Sequence, residues 1–342
     1  MQPRHAESMA ESISRRTWLK TSLAAATYTL SRSMIDASSA RGAESDPGRW
    51  PKPEALSLDY AFPKEPRPRL AITLDLEMSA QYPKPGMTEW NYEKGNLDEA
   101  TKEYSLKAAR LVKKAGGVIH FFCVGRVLEQ PDVEWLKELA KEGHPIGNHT
   151  YDHVNVKATK AEETQFRFQR APWLVRGKTA LEVIRENIRV TTESLEQRCG
   201  VKVSGFRTPG GFNNGLSDRP DLQELLLDLG FTWVSSKYPA HATVKAGERP
   251  GDEVFASILK AQEAAQPFRY DSGLVEIPMS PISDVTAFRA QKWTLQEFTK
   301  AIRMAIDWTV EKKMAFTLLA HPSCLVVEDP DIACNQLLAA GS

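Results

Sequence analysis

The chain is 342 residues long, 42% hydrophobic and 26% charged, enough for one large domain or two small ones with a sizeable core. Lys plus Arg and Asp plus Glu balance at 44 each, so no net field draws it to nucleic acid or to an anionic membrane surface. Four cysteines, Cys123, Cys199, Cys324 and Cys334, show no short paired spacing, which speaks against a zinc ribbon or a redox pair.

In chain order, residues 1–43 carry Ser14-Arg15-Arg16-Thr17-Trp18-Leu19-Lys20, a mild apolar stretch over 21–30, and then small residues. The segment is similar to a twin-arginine export signal, with Trp18 where such signals usually hold Phe, so a periplasmic or secreted protein is expected. Export permits a disulfide without requiring one. The apolar stretch is too short and too polar to span a bilayer, and no other stretch approaches that length. Residues 44–68 hold six prolines among polar neighbours, the composition of an extended linker. One folded domain is then expected over 69–342.

Within it, short apolar runs alternate with helical patterns. Strands are predicted at 70–76, 118–124, 203–207, 232–235, 274–278 and 315–320, and helices at 98–115, 132–142, 180–199, 221–229 and 295–311, with a short segment at 145–148. This alternation implies parallel strands with crossover helices, and a single α/β domain of barrel type fits it best. In such folds chemistry sits where strands end. Asp75 and Glu77 close the first strand, His149-Thr150-Tyr151-Asp152-His153 follows the 145–148 segment, Arg207 closes a strand, and His321 closes the last. Four polar sites from distant segments are thus expected at one end of the barrel.

The HTYDH string spaces two imidazoles four residues apart, which on a helix is one turn and a shared face, the spacing of metal ligands. A zinc-protease signature needs Glu directly after the first His, and Thr150 stands there. Two neutral imidazoles and one carboxylate can hold a divalent ion with positions left open for water and substrate oxygen. Such a set accepts zinc first, with cobalt, nickel or manganese as alternatives set by geometry and supply.

Taken together, Thr73-Leu74-Asp75-Leu76-Glu77, Ile119-His120-Phe121-Phe122-Cys123-Val124-Gly125, Gly143-His144-Pro145-Ile146-Gly147-Asn148 with HTYDH, Arg207-Thr208-Pro209-Gly210-Gly211 and Leu318-Leu319-Ala320-His321 resemble the successive motifs of the polysaccharide deacetylases. This is the NodB-homology, or carbohydrate esterase family 4, domain. The resemblance implies a distorted (β/α)7 barrel and metal-dependent removal of acetyl groups from an N-acetylated glycan such as chitin, peptidoglycan or an exopolysaccharide. It further implies Asp75 as base, His149 and His153 as ligands, His321 as general acid, Arg207 holding Asp75, and a backbone N–H near Gly210 for the oxyanion.

One departure concerns the first motif, which in the family has two adjacent aspartates, a base and a ligand. Here Leu76 stands second and the next acid is Glu77. On an extended strand Asp75 and Glu77 face the same side, so Glu77 is assigned as third ligand, with an exchange of roles between the two as the alternative. Gly210, where many members carry Tyr, is a second departure. Activity on a small cyclic amide, as in allantoinase-like relatives, and a non-catalytic carbohydrate-binding role are the competing functions. Trp173, in the aromatic and arginine-rich run 165–173, and Trp90 with Tyr92 are candidates to stack on sugar rings, against the alternative of inward packing. His120 and His144 are read as structural. Oligomeric state is not legible.

Overall fold

The computed structural model describes residues 66–79 and 94–340. The segment expected to be an export signal, most of the expected linker, Trp90 and Tyr92 lie outside the described residues. From its first strand the chain runs β1 (Arg69–Leu76), α1 (Glu99–Lys114), β2 (Ile119–Cys123), α2 (Glu134–Lys141), β3 (Ile146–Asn148), α3 (Phe166–Arg170), α4 (Ala180–Cys199), β4 (Phe206–Phe212), α5 (Pro220–Asp228), β5 (Trp233–Lys237) and α6 (Asp252–Ala264), the expected alternation with two helices, α3 and α6, that were not predicted. The short strands β6 (Phe268–Arg269) and β7 (Val275–Glu276) follow, then α7 (Leu295–Lys312), β8 (Ala315–Ala320), α8 (Pro322–Glu328) and α9 (Ala333–Ala340).

Local chemistry sets the helix limits. Asp98 caps α1 by accepting from Thr101 N at 2.8 Å. Both α4 and α7 open on capping boxes, Thr179 with Glu182 and Thr294 with Glu297, and α4 ends on Gly200 at φ 66°.

The strands form one sheet in the order β6-β7-β5-β4-β3-β2-β1-β8. Every neighbouring pair is parallel except β6 with β7, so seven parallel strands carry a two-residue antiparallel appendage at one edge. This is the α/β fold of a distorted (β/α)7 barrel. The chain after β7 joins its two edges: Met279 N donates to Lys237 O at 2.9 Å, Ser280 N to Thr317 O at 2.9 Å, and Ser283 bridges to Leu319. The core lies in two clusters, one beneath β1, β2 and β8 with α1, α2 and α7, the other beneath β4 and β5 with α4 and α5. Among the described residues no helix is long and apolar enough to cross a membrane. All four cysteines are free thiols.

Two expectations need correction. The strand predicted over 203–207 begins only at Phe206, because Gly205 takes φ 77° and a Cβ there would lie 2.0 Å from the Trp233 ring. Arg207 is therefore near the start of β4. It still reaches the active end, since Phe206 pairs with Asn148, the last residue of β3. The HTYDH string is not helical: the chain turns through two left-handed residues, Thr150 at φ 58° and His153 at φ 55°.

Candidate active site

The carboxyl ends of β1, β3, β4 and β8 converge on one cavity of about 280 Å³ whose walls include Asp75, Glu77, Lys94, His149, His153 and His321. Asp75 is the penultimate residue of β1 and Glu77 follows its end, while Leu76 between them enters the core. Both carboxylates are buried.

Backbone anchors give the HTYDH turn its shape. His149 N donates to Cys123 O at 3.1 Å, Asn148 Oδ1 accepts from Thr150 N at 2.8 Å, and Thr150 Oγ1 accepts from Val154 N at 3.0 Å. The left-handed turn of a β-branched threonine is thereby held against its ordinary steric preference. The result brings the two imidazoles together, ring centroids 5.1 Å apart. Nδ1 of His149 is engaged with Arg207 O at 3.0 Å, so Nε2 is the nitrogen presented to the cavity. Asp152 points away, paired with Arg126 and Arg167.

Nε2 of His153 lies 2.9 Å and Nε2 of His149 3.9 Å from Glu77 Oε2, and the three donor atoms fall within 4.8 Å of one another. Ligand atoms about 2.0–2.2 Å from a tetrahedral ion are themselves roughly 3.3–3.6 Å apart, which these separations bracket. Glu77 Oε2 is buried, and among the described residues His153 Nε2 is the polar atom it faces most closely. Burial holds both imidazoles below their usual range, His149 down to about 4, which keeps them neutral as ligands must be. Burial would raise the Glu77 carboxyl, but His153 and Lys94 beside it hold it well below the ordinary value. On these observations the donor set fits a divalent ion.

Asp75 meets a different environment. Its Oδ1 accepts from Nη1 of Arg207 at 2.7 Å, and Arg207 is wholly buried, its guanidinium 4.2 Å from the Phe122 ring and bonded to Ser235 Oγ. Asp75 Oδ2 stands 3.7 Å from His149 Nε2 and 4.0 Å from His321 Nε2. Sequence reasoning missed Asp284, which lies just before a π-helical turn, Val285–Ala290. Its carboxylate accepts from His321 N at 2.7 Å and faces His321 Nδ1 at 2.9 Å. Burial alone would lower the His321 imidazole, but Asp284, with Asp75 and Glu77, carries it above 6.5. No sequence motif marks Asp284, because its role comes from the seam contact alone.

Gly210 lines the cavity at φ 79°, a left-handed backbone that suits glycine and explains why no larger residue stands there. Trp173 is 63% exposed and lines neither this cavity nor its neighbour, whereas Phe168 of the same run packs inward. The run borders a second cavity, beside Tyr151 and Asp152. His120 meets Ser204 O at 2.8 Å and stacks on Phe122, and His144 Nδ1 accepts from Ile119 N, both outside the ligand cluster.

Comparison with known proteins agrees with this architecture. A family model described as polysaccharide deacetylase matches residues 95–232, the part holding the histidine turn and Arg207. That part of the chain is therefore similar to the polysaccharide deacetylases, the family its motifs resemble. A protein from Mycobacterium smegmatis classed with the polysaccharide deacetylases has the same fold, with TM-score 0.52 and 17% identity over 81% of this chain and 84% of that one. One from Pseudomonas aeruginosa gives 0.48 and 15% over 80% and 83%. The uncharacterized protein YlxY of Bacillus subtilis is 30% identical over 109 residues, 32% of this chain and only 28% of YlxY. Fold alone does not decide activity.

Proposed function

We propose that the protein is a metal-dependent hydrolase that removes N-acetyl groups from an N-acetylated glycan. The observation that carries the reading is the separation of two carboxylates into two environments: Glu77 Oε2 faces two neutral imidazoles, while Asp75 is held by a buried arginine. An amide is a poor electrophile with a poor leaving group, so its hydrolysis needs a base, an acid and a stabilised oxyanion.

Glu77, His149 and His153 would hold the ion, zinc first, with cobalt, nickel or manganese as alternatives. When bound, it supplies Lewis acidity and a lowered water pKa, about 7 for zinc. Arg207 fixes Asp75 so that Oδ2 takes the proton of the attacking water. The backbone N–H at Gly210 faces the developing oxyanion. His321, whose protonated form Asp284 favours, gives its Nε2 proton to the departing amine as the carbon–nitrogen bond breaks, leaving acetate and a free amino sugar.

Acetate release from N-acetylglucosamine oligomers and from peptidoglycan, before and after chelation and with zinc, cobalt or manganese restored, tests this reading. Metal-dependent release is expected. Protein that holds metal yet releases no acetate from any glycan would instead be a binding relative or act on another amide. The small cavity favours one such second reading, a cyclic amide the size of a single ring, which ring opening of a ureide would reveal. Export through the twin-arginine route belongs to the same proposal: replacing Arg15 and Arg16 by Lys should retain the protein in the cytoplasm.

A further inference from the structure

Lys94 has no part in the chemistry described so far, yet only 2% of it is exposed and it lines the cavity. Its Nζ lies 2.6 Å from Glu77 Oε1, the oxygen turned away from the two imidazoles. The position is built. Met78 N donates to Lys94 O at 2.9 Å, and the next residue, Gly95, packs so closely that a Cβ would lie 2.3 Å from the Arg126 backbone. Glu77 is pinned at its own backbone, where its carbonyl accepts from Ser323 Oγ at 2.8 Å.

We propose that Lys94 sets the metal affinity of the site, by claiming one oxygen of Glu77 so that the carboxylate offers a divalent ion its other oxygen from within an ion pair whose net charge is zero. The inference rests on the metal-dependent reading above. Two effects oppose each other. Orienting partners of metal ligands typically raise affinity about 10–100-fold. A buried cation sharing the ligand's carboxylate repels the ion and competes for the same charge, and at such separations in a poorly solvated site this repulsion is the larger effect.

The full-length protein and its K94M, K94Q and K94R variants are titrated with zinc alone and with cobalt alone by calorimetry, and the visible spectrum of each cobalt form is recorded. K94M and K94Q, freed of the repulsion, are expected to bind at least ~10-fold more tightly than the parent, and K94R to match it. The cobalt band of K94M should weaken as the freed Oε1 joins the coordination. K94Q serves if K94M does not fold. Equal or weaker binding by both neutral variants, with a parent that does bind metal, would overturn the role of Lys94 and leave the metal reading standing. No binding by the parent together with binding by K94M would support the inference strongly. No binding by any of the four would remove the metal reading itself and the inference with it.

Discussion

Asp284 and His321 give the clearest residue-level expectation. Replacing Asp284 by Asn removes the charge that holds the imidazole above 6.5, so the basic limb of the pH–rate profile should move to lower pH. An unmoved limb would take the proton-donor role from His321. H321A itself should lower kcat about 10²–10⁴-fold with little change in KM. R207K keeps the charge but loses the planar fork and the stacking on Phe122, so it should also lower kcat, with metal content unchanged. Residue types and order made most of these positions readable in the sequence. Asp75, Glu77, His149, His153 and His321 lie in short strings at the carboxyl ends of strands and Arg207 near the start of one, and the structure brings all six to one cavity wall or to the side chain behind it. Asp284 was not readable, because it reaches His321 only through the packing of two distant segments. Lys94, 17 residues after Glu77, was hidden because it lies in no motif.

Helix limits were legible because caps are local. The predicted 180–199 helix coincides with α4, whose first turn is closed by Thr179 and Glu182. A T294A change at the matching box of α7 should cost about 1 kcal/mol in urea unfolding and leave turnover alone. The turn at HTYDH could not be read from spacing, since four residues bring side chains together on a helix or around a left-handed corner. The start of β4 failed for another reason. Val203 and Ser204 look like strand residues, but Gly205 must tuck beneath Trp233. G205A should therefore destabilise by about 1–3 kcal/mol or more and lower activity through Arg207 next door. A G205A variant as stable as its parent would show that Trp233 can yield.

Across the whole molecule, protons and metal act on stability in opposite ways. For the metal-free protein, His149 and His120 are carried down to about 4 by burial, so as pH falls from 6.5 towards that value the unfolded chain takes up protons first and stability is lost. His321 is shifted upward, so its contribution is complete below 6.5 and is lost as pH rises through its folded value. The urea midpoint of chelated protein should therefore fall on both sides of neutrality, and a flat midpoint on the acid side would contradict the burial of these imidazoles. A divalent ion at about 100 times its Kd would add roughly 2.7 kcal/mol, or about 5–10 °C in Tm. The same long-range geometry bears on how the protein acquires its activity. Asp75 sits on the first strand and His321 follows the last, and Ser323 bonds back to Glu77 across 246 residues. Bringing such distant segments together is the slow part of folding a parallel sheet, because loop-closure entropy is spent before the contacts reward it. A partly folded chain can therefore bring Glu77, His149 and His153 together from its first half while His321 is still apart, so during refolding metal uptake should precede the recovery of turnover.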